Sequence, residues 1–400
     1  MEKRLYVQNV EAWEKVISAK GFSDRELEVE VIERGIVLPA RKVNGVWEGG
    51  VCDNDFNFVA GFSRIKPTEK YFGGGGTIES SYTVDKNDIT WLDEDVIFGG
   101  TLEGHFGHFL VECLSRLWFV IQNPTLQSKI LFIPTDFGGY KSWFDDFFRL
   151  MGIEKERIIY IDKPMQCRSV TVPEQSQYNP WGGSIKFTKE FLIPYEVIKS
   201  RVTPGESKKL YLTRTKLDLS KNPRQCINEE YFEEFFSAHG FDIISPEKLS
   251  VEEQISLVMG ADEIAATQGT LTHLAIFCKP SLKLIMLNRD SSRSFIQIFI
   301  NEVFNIDNYY VVDVYKSLMY AENHTNGVFL LGSTKYWKEF VADYFGEKID
   351  EDDDISYLED ALDKYVRLWC RKYQDPKYFN IWLDSLNGMC HKILELERTA

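Results

Sequence analysis

The feature that most limits the fold is the run of alternating elements between Lys209 and Asn288. Short apolar strands read at Lys209–Thr213, Phe241–Ile244, Glu263–Thr267 and Leu282–Asn288. Helices read at Asn228–Gly240, Ser250–Met259 and Thr270–Cys278. Strands that are apolar along their whole length and separated by helices belong to a parallel sheet covered on both faces. The helix signals are local. Ser250 and Glu253 have the spacing of a capping box, Asn228 is a candidate N-cap, and Gly240 and Pro280 are stops. This half reads as a doubly wound β/α domain.

Upstream, Asn44-Gly45 between two strand-like runs, Ile36–Val43 and Val46–Asp53, predicts a hairpin. Ile89–Phe98 reads as a strand leading into Gly99-Gly100. Lys129–Pro134 is a strand, Trp143–Met151 a helix stopped by Gly152, and Arg157–Ile161 a further strand. Phe187–Arg201 reads as a helix, and the turn-rich Thr203–Ser207 as a boundary. A strand is expected at Val311–Val314, and beyond Ser333 the pattern is helical, acidic and aromatic. Four hundred residues exceed one ordinary core. The expected division is an α/β unit over 1–205, a second over 206–332, and a helical extension over 333–400.

Composition excludes several classes. A formal net charge of −15 lacks the basic footprint of nucleic-acid binding. No apolar run approaches the eighteen or so residues of a membrane span, and the charged start lacks a secretory core. Seven cysteines without paired spacing read as reduced thiols, so a cytoplasmic protein is expected. The basic, aromatic segment Arg367–Lys377 could lie on a membrane, although packing on its own protein is favoured. The acid run Asp350–Asp354 reads as a solvated loop and Gly73–Gly76 as a surface loop, since no P-loop Lys comes after it. Asp93-Glu94-Asp95 has the form of a cation-binding Asp-x-Asp, but equally that of a turn.

Two stretches carry candidate chemistry. Gly104–Val120 reads as one helix, apolar nearly all round and therefore buried. His105, His108, Glu112 and Arg116 recur on it at three- and four-residue spacing, forming one polar stripe. Such a stripe suits the wall of a cleft, or equally a self-satisfied polar ladder. In the second stretch a strand runs into Gln268-Gly269, and a helix is expected to open at Thr270, with Thr272 and His273 next in line. Free N–H groups at that helix start, with Arg214 and Lys216 after another strand of the same sheet, would converge on an anionic ligand.

The blocks HFLVECLSRLW, YLTRTK and the long run from Asn228 to Phe277 resemble the glycosyltransferase 61 family, the DUF563-type proteins of bacterial capsular polysaccharide synthesis. The likeness extends from about Asp88 to Leu287. It implies a GT-B-like enzyme, two Rossmann-like domains facing a central cleft, with extra N-terminal hairpin strands and a C-terminal helical segment. The family's His-x-x-x-Glu falls on His108 and Glu112, and its Arg on Arg116. Its Ser/Thr-Arg block falls on Thr213-Arg214, and its Asn-Glu block on Asn228-Glu229. Where many relatives read His-Gly-Ala-Gly-Leu-Thr-Asn, this chain has Thr267–His273 and its His is displaced. The implied activity is metal-independent, inverting transfer from a nucleotide-sugar, such as a UDP-sugar, to a saccharide or lipid-linked saccharide acceptor. No cofactor is expected; the location expected is cytoplasmic, with peripheral association at the inner membrane face as an option. His108 is the expected base, with His105 and Glu112 as rivals, and Arg214, Lys216, Gly269, Thr270, Thr272 and His273 as donor ligands. A His/Glu metal hydrolase and a non-catalytic assembly scaffold are the competing readings.

Overall fold

The computed structural model describes residues 4–59, 78–135, 140–178, 185–217, 226–293, 295–316, 318–319, 327–350 and 355–399. Gly73–Gly76, most of the Asp350–Asp354 run and parts of the loops near 180 and 220 lie outside them.

The second half contains the parallel sheet its sequence demands. Its order is Leu5–Tyr6, Asn308–Asp313, Lys283–Asn288, Glu263–Thr267, Lys209–Leu212 and Asp242–Ile244, every pair parallel. Numbered along the chain from Lys209, the strands lie in the order 2-1-3-4-5. That order reverses direction between Lys209–Leu212 and Glu263–Thr267, and such a switch point leaves a crevice at the carboxyl ends of the two strands. Arg214 comes just after one of them and Gly269 just after the other.

The capping box forms as expected. Ser250 Oγ accepts from Glu253 N, and Glu253 Oε2 accepts from Ser250 N at 2.7 Å. Asn228 departs from expectation. It sits in the left-handed region (φ 71°) without capping the helix Glu229–Ala238, and its Nδ2 donates to Leu331 O at 3.1 Å. The helix expected over Thr270–Cys278 is one α-helical turn, Thr270–His273, continued by a 3-10 segment, Leu274–Phe277. Its dipole is correspondingly small, because few peptides are aligned.

The first half is mixed rather than doubly wound. Its eight-stranded sheet joins the antiparallel pair Ile36–Val43 and Val46–Cys52 to a parallel core of Met165–Pro173, Thr90–Leu102, Ile130–Pro134 and Ile158–Tyr160. The Asn44-Gly45 hairpin pairs Val43 with Val46. The strand expected to end at Phe98 continues through Gly99-Gly100 to Leu102, with a register shift at Phe98/Gly100. Asp93-Glu94-Asp95 lies within that strand, not in a turn, and Asp95 is held by Arg168 and Ser169. Phe187–Arg201 divides into a short strand, a 3-10 turn and the helix Ile193–Arg201.

The two sheets are not separately cored. One apolar cluster runs from Leu102, Phe109 and Phe144 through Tyr195 to Leu210, Ala266 and Met286. The amino-terminal strand Leu5–Tyr6 pairs with Val311 and Val312, so by pairing the start of the chain belongs to the second sheet. The helix Lys335–Tyr344 buries Trp337, Phe340 and Val341 against that sheet's other face. The helix Ile355–Lys372 buries Trp369 with Tyr365 and Tyr373, so the aromatics of the basic segment do pack on their own protein.

Candidate active site

The stretch Gly104–Val120 is helical but not one helix. An α-helical turn at Phe106–His108 passes into a π-helical turn at Phe109–Cys113, the chain then breaks, and Leu117–Gln122 resumes the α-helix. A π-turn inserts an extra residue and rotates the side chains after it, and such turns concentrate at functional sites. The break is pinned from outside. Tyr195 Oη donates to Leu110 O, Ser115 Oγ donates to Glu112 O at 2.6 Å, and Ser176 N and Oγ both donate to Ser115 O. One consequence is that Arg116 leaves the stripe. It is buried, donates to Pro173 O and Gln175 Oε1, and lies 5.8 Å from the Phe98 ring. Burial lowers its pKa to about 9. Those contacts join it to the first sheet, not to the cavity between the two halves.

The remaining stripe is compact. His108 Nδ1 lies 2.9 Å from Glu112 Oε2 and 3.9 Å from Glu103 Oε2, both carboxylates being almost completely buried. His108 itself keeps 25% of its side-chain surface exposed. With both carboxylates at Nδ1, a neutral His108 protonated there presents Nε2 as the proton acceptor, the arrangement a general base requires. The His105 ring centroid is 4.9 Å away. Glu103 is not a candidate that the sequence suggests. It follows the strand Thr90–Leu102, and only the turn at Gly104 brings it back onto His108. Glu103, His108 and Glu112 also place three ligand-type atoms within 4.8 Å of one another, a set that could hold a divalent cation. The trio that the sequence spacing favours contains His105 instead of Glu103.

The two halves meet at Gly107. A Cβ there would stand 2.9 Å from Thr270 Oγ1 and 3.4 Å from both His105 Cε1 and His273 Cδ2. The glycine is what lets the turn at Phe106 approach the turn at Thr270. His273 is buried, its Nδ1 2.7 Å from Gln297 Oε1, and burial, the largest cause, lowers its pKa to about 4. Burial thus disfavours the charged form of its imidazole. Thr272 is also turned inward, donating to Gly269 O at 2.8 Å. Lys216 is exposed beyond the strand end, while Arg214 lines the cavity.

A second cation stands where the sequence reading placed none. Gly269 adopts φ +130°, and a Cβ at that position would lie 3.1 Å from Arg289 Nη2. Arg289 comes directly after the strand Lys283–Asn288, so the rule that singled out Arg214 applies to it one strand further along. Burial and the Arg289 charge both lower the Arg214 pKa. Beneath them Glu229 is fully buried, accepting from Tyr211 Oη and Thr267 Oγ1 at 3.5 Å, and burial raises its pKa to about 8. A carboxyl with a raised pKa offsets less of the charge of the two guanidiniums near neutral pH, Glu247 being the other carboxylate that acts on Arg214.

Between the halves lies a cavity of about 640 Å³, within the range of small-molecule sites. Gly104, His105, Phe106 and Trp143 line one wall, and Arg214, Pro246, Ser250 and Thr270 the other. The cavity lies beside the strand-order switch point, with His105 on one wall and Arg214 on the other. Residues 106–285, which contain His108, Glu112, Arg214 and Thr270 but not Glu103, His105 or Arg289, match the family described as Glycosyltransferase 61. This region of the chain belongs to glycosyltransferase family 61, and the protein is a glycosyltransferase. No curated protein matches the chain. Among the described residues no helix is long and apolar enough to cross a membrane.

Proposed function

We propose that the protein transfers a sugar from a nucleotide-sugar, of which a UDP-sugar is one candidate, to a saccharide or lipid-linked saccharide acceptor, with inversion and without a metal. The observation that carries this is the cavity with His105 on one wall and Arg214 on the other, the His108 ring 4.9 Å from that of His105 and Arg289 lying behind Gly269. His108 Nε2 takes the acceptor hydroxyl proton while that oxygen attacks the anomeric carbon. The bond from that carbon to the donor phosphate breaks, and the nucleoside diphosphate leaves with its charge held by Arg214 and Arg289. Glu112 keeps His108 in the required tautomer and stabilises the imidazolium as it forms. His105 and Thr270 line the route between the two groups. In this reading the two sheets are the facing halves of a GT-B-like enzyme. Its product belongs to capsular or other surface polysaccharide, made in the cytoplasm at the inner membrane face.

The test is His108→Ala, assayed for transfer and for thermal stabilisation by nucleotides. Transfer is expected to fall by about 10²-fold or more, with stabilisation retained. Full activity in that variant overturns the assignment. A second reading is favoured by the Glu103–His108–Glu112 cluster, in which a divalent cation occupies these ligands and activates the acceptor. Activity that survives exhaustive chelation excludes it, and activity restored by one added metal establishes it.

A further inference from the structure

We infer that the Trp143 wall of the cavity is the subsite for the acceptor saccharide, with Trp143 as a stacking platform and Asp146 as acceptor of sugar hydroxyls. This rests on the reading of the cavity as a sugar-transfer site and assigns its second substrate. Trp143 and Asp146 are three residues apart on the helix Trp143–Met151, so they share a face, and both line the cavity.

The indole is fixed before any ligand arrives. Phe106, Phe109 and Phe144 meet it edge-on, with centroids 5.2, 4.8 and 4.6 Å away and interplanar angles of 67, 87 and 78°. It nevertheless remains partly exposed. A rigid aromatic face that stays open costs little conformational entropy when a ligand covers it. The apolar C–H face of a pyranose complements such a surface.

The adjacent carboxylates divide their work. Asp145 is occupied by Lys155 at 2.8 Å, Tyr140 at 2.9 Å and Tyr160 at 3.1 Å. Asp146 has no hydrogen bond or ion pair among the described residues and stays half-buried at the cavity. A carboxylate repels a phosphate but accepts hydrogen bonds from hydroxyls, so this wall selects a neutral polyol over the diphosphate drawn to Arg214. His105 lines the same wall, which directs a sugar seated on Trp143 toward the histidines.

The experiment is saturation-transfer NMR with methyl glycosides of glucose, galactose, mannose and N-acetylglucosamine as probes. Nucleotide binding is tracked in parallel by thermal shift with UDP, GDP, dTDP and CMP. The wild type is expected to transfer saturation to the ring protons of at least one glycoside. Trp143→Leu is expected to lower that signal about fivefold to tenfold with nucleotide stabilisation unchanged. Asp146→Asn, which removes a charge without a partner and leaves the fold intact, is expected to weaken the same glycoside. Absence of transfer from every glycoside, or an undiminished signal in both variants, overturns the inference. Loss of nucleotide stabilisation in Trp143→Leu also overturns it, since the ring would then serve the donor. A wild type that binds glycosides but no nucleotide instead refutes the reading of the cavity as a donor site.

Discussion

Glu229 and His273 predict a stability profile that separates two buried groups by pH. Glu229 has its pKa raised from 4.5 to about 8 in the folded protein, and His273 has its pKa lowered from 6.5 to about 4. A raised carboxyl pKa means the folded state holds a proton that the unfolded chain has released. Its contribution is complete below pH 4.5 and is lost between 4.5 and about 8. A depressed histidine pKa means the unfolded chain binds the extra proton. Its contribution is present above 6.5 and is lost as pH falls toward 4. Each mismatch changes stability by about 1.4 kcal/mol per pH unit. From pH 4.5 to 6.5 the two slopes oppose and cancel. From 6.5 to 8 only Glu229 acts, and stability falls by about 2 kcal/mol. In Glu229→Gln that fall disappears, and the His273 slope, worth about 3 kcal/mol between pH 4 and 6.5, is exposed. Urea unfolding of both proteins at half-unit steps from pH 4.5 to 8 measures this. Equal slopes between pH 6.5 and 8 would refute a protonated Glu229.

The site makes two further outcomes testable. Arg289→Gln removes a cation from the donor cradle and is expected to raise the donor KM by about 10- to 100-fold, the worth of one charge-assisted hydrogen bond, while leaving acceptor KM unchanged. Gly107→Ala places a methyl group 2.9 Å from Thr270 Oγ1, an overpacking that costs about 1–3 kcal/mol, and kcat is expected to fall as the two turns are pushed apart. Because that hydroxyl is the closest obstacle, the double variant with Thr270→Ala should recover much of the lost stability. A double-mutant cycle without coupling contradicts the contact.

The second sheet is legible in the sequence because its signals are local: apolar strands, the Ser250/Glu253 pair, and a Gly269 turn after a strand. Arg289 carries an equally local signal, standing directly after Asn288 at a strand's carboxyl end. Glu103 and Arg116 carry none. Glu103 reaches His108 only through a turn, and Arg116 is rotated away by a π-turn that leaves the apolar spacing unchanged. Asn228 has the composition of a cap, yet its amide is claimed by Leu331 O from a distant segment, a contact that no local pattern encodes. Likewise the first half offers strand–helix–strand signals, but its antiparallel additions depend on pairings such as Val29–Glu33 with Met165–Pro173 across more than a hundred residues.

The pairing of Leu5 and Tyr6 with Val311 and Val312 bears on how the chain is made. During synthesis the amino end emerges first, yet its partner strand appears some three hundred residues later. At typical elongation rates of about 5–20 residues per second, that is a wait of roughly 15 to 60 s. Throughout it, Trp13 and Val16 of the helix Val10–Ser18 have no Phe295–Val303 to cover them. The same delay carries Tyr6 to its hydrogen bond with Asp343, which leaves the ribosome later still. The strands that frame the crevice, Lys209–Leu212 and Glu263–Thr267, are thus synthesised before the strand on which the sheet's far edge pairs.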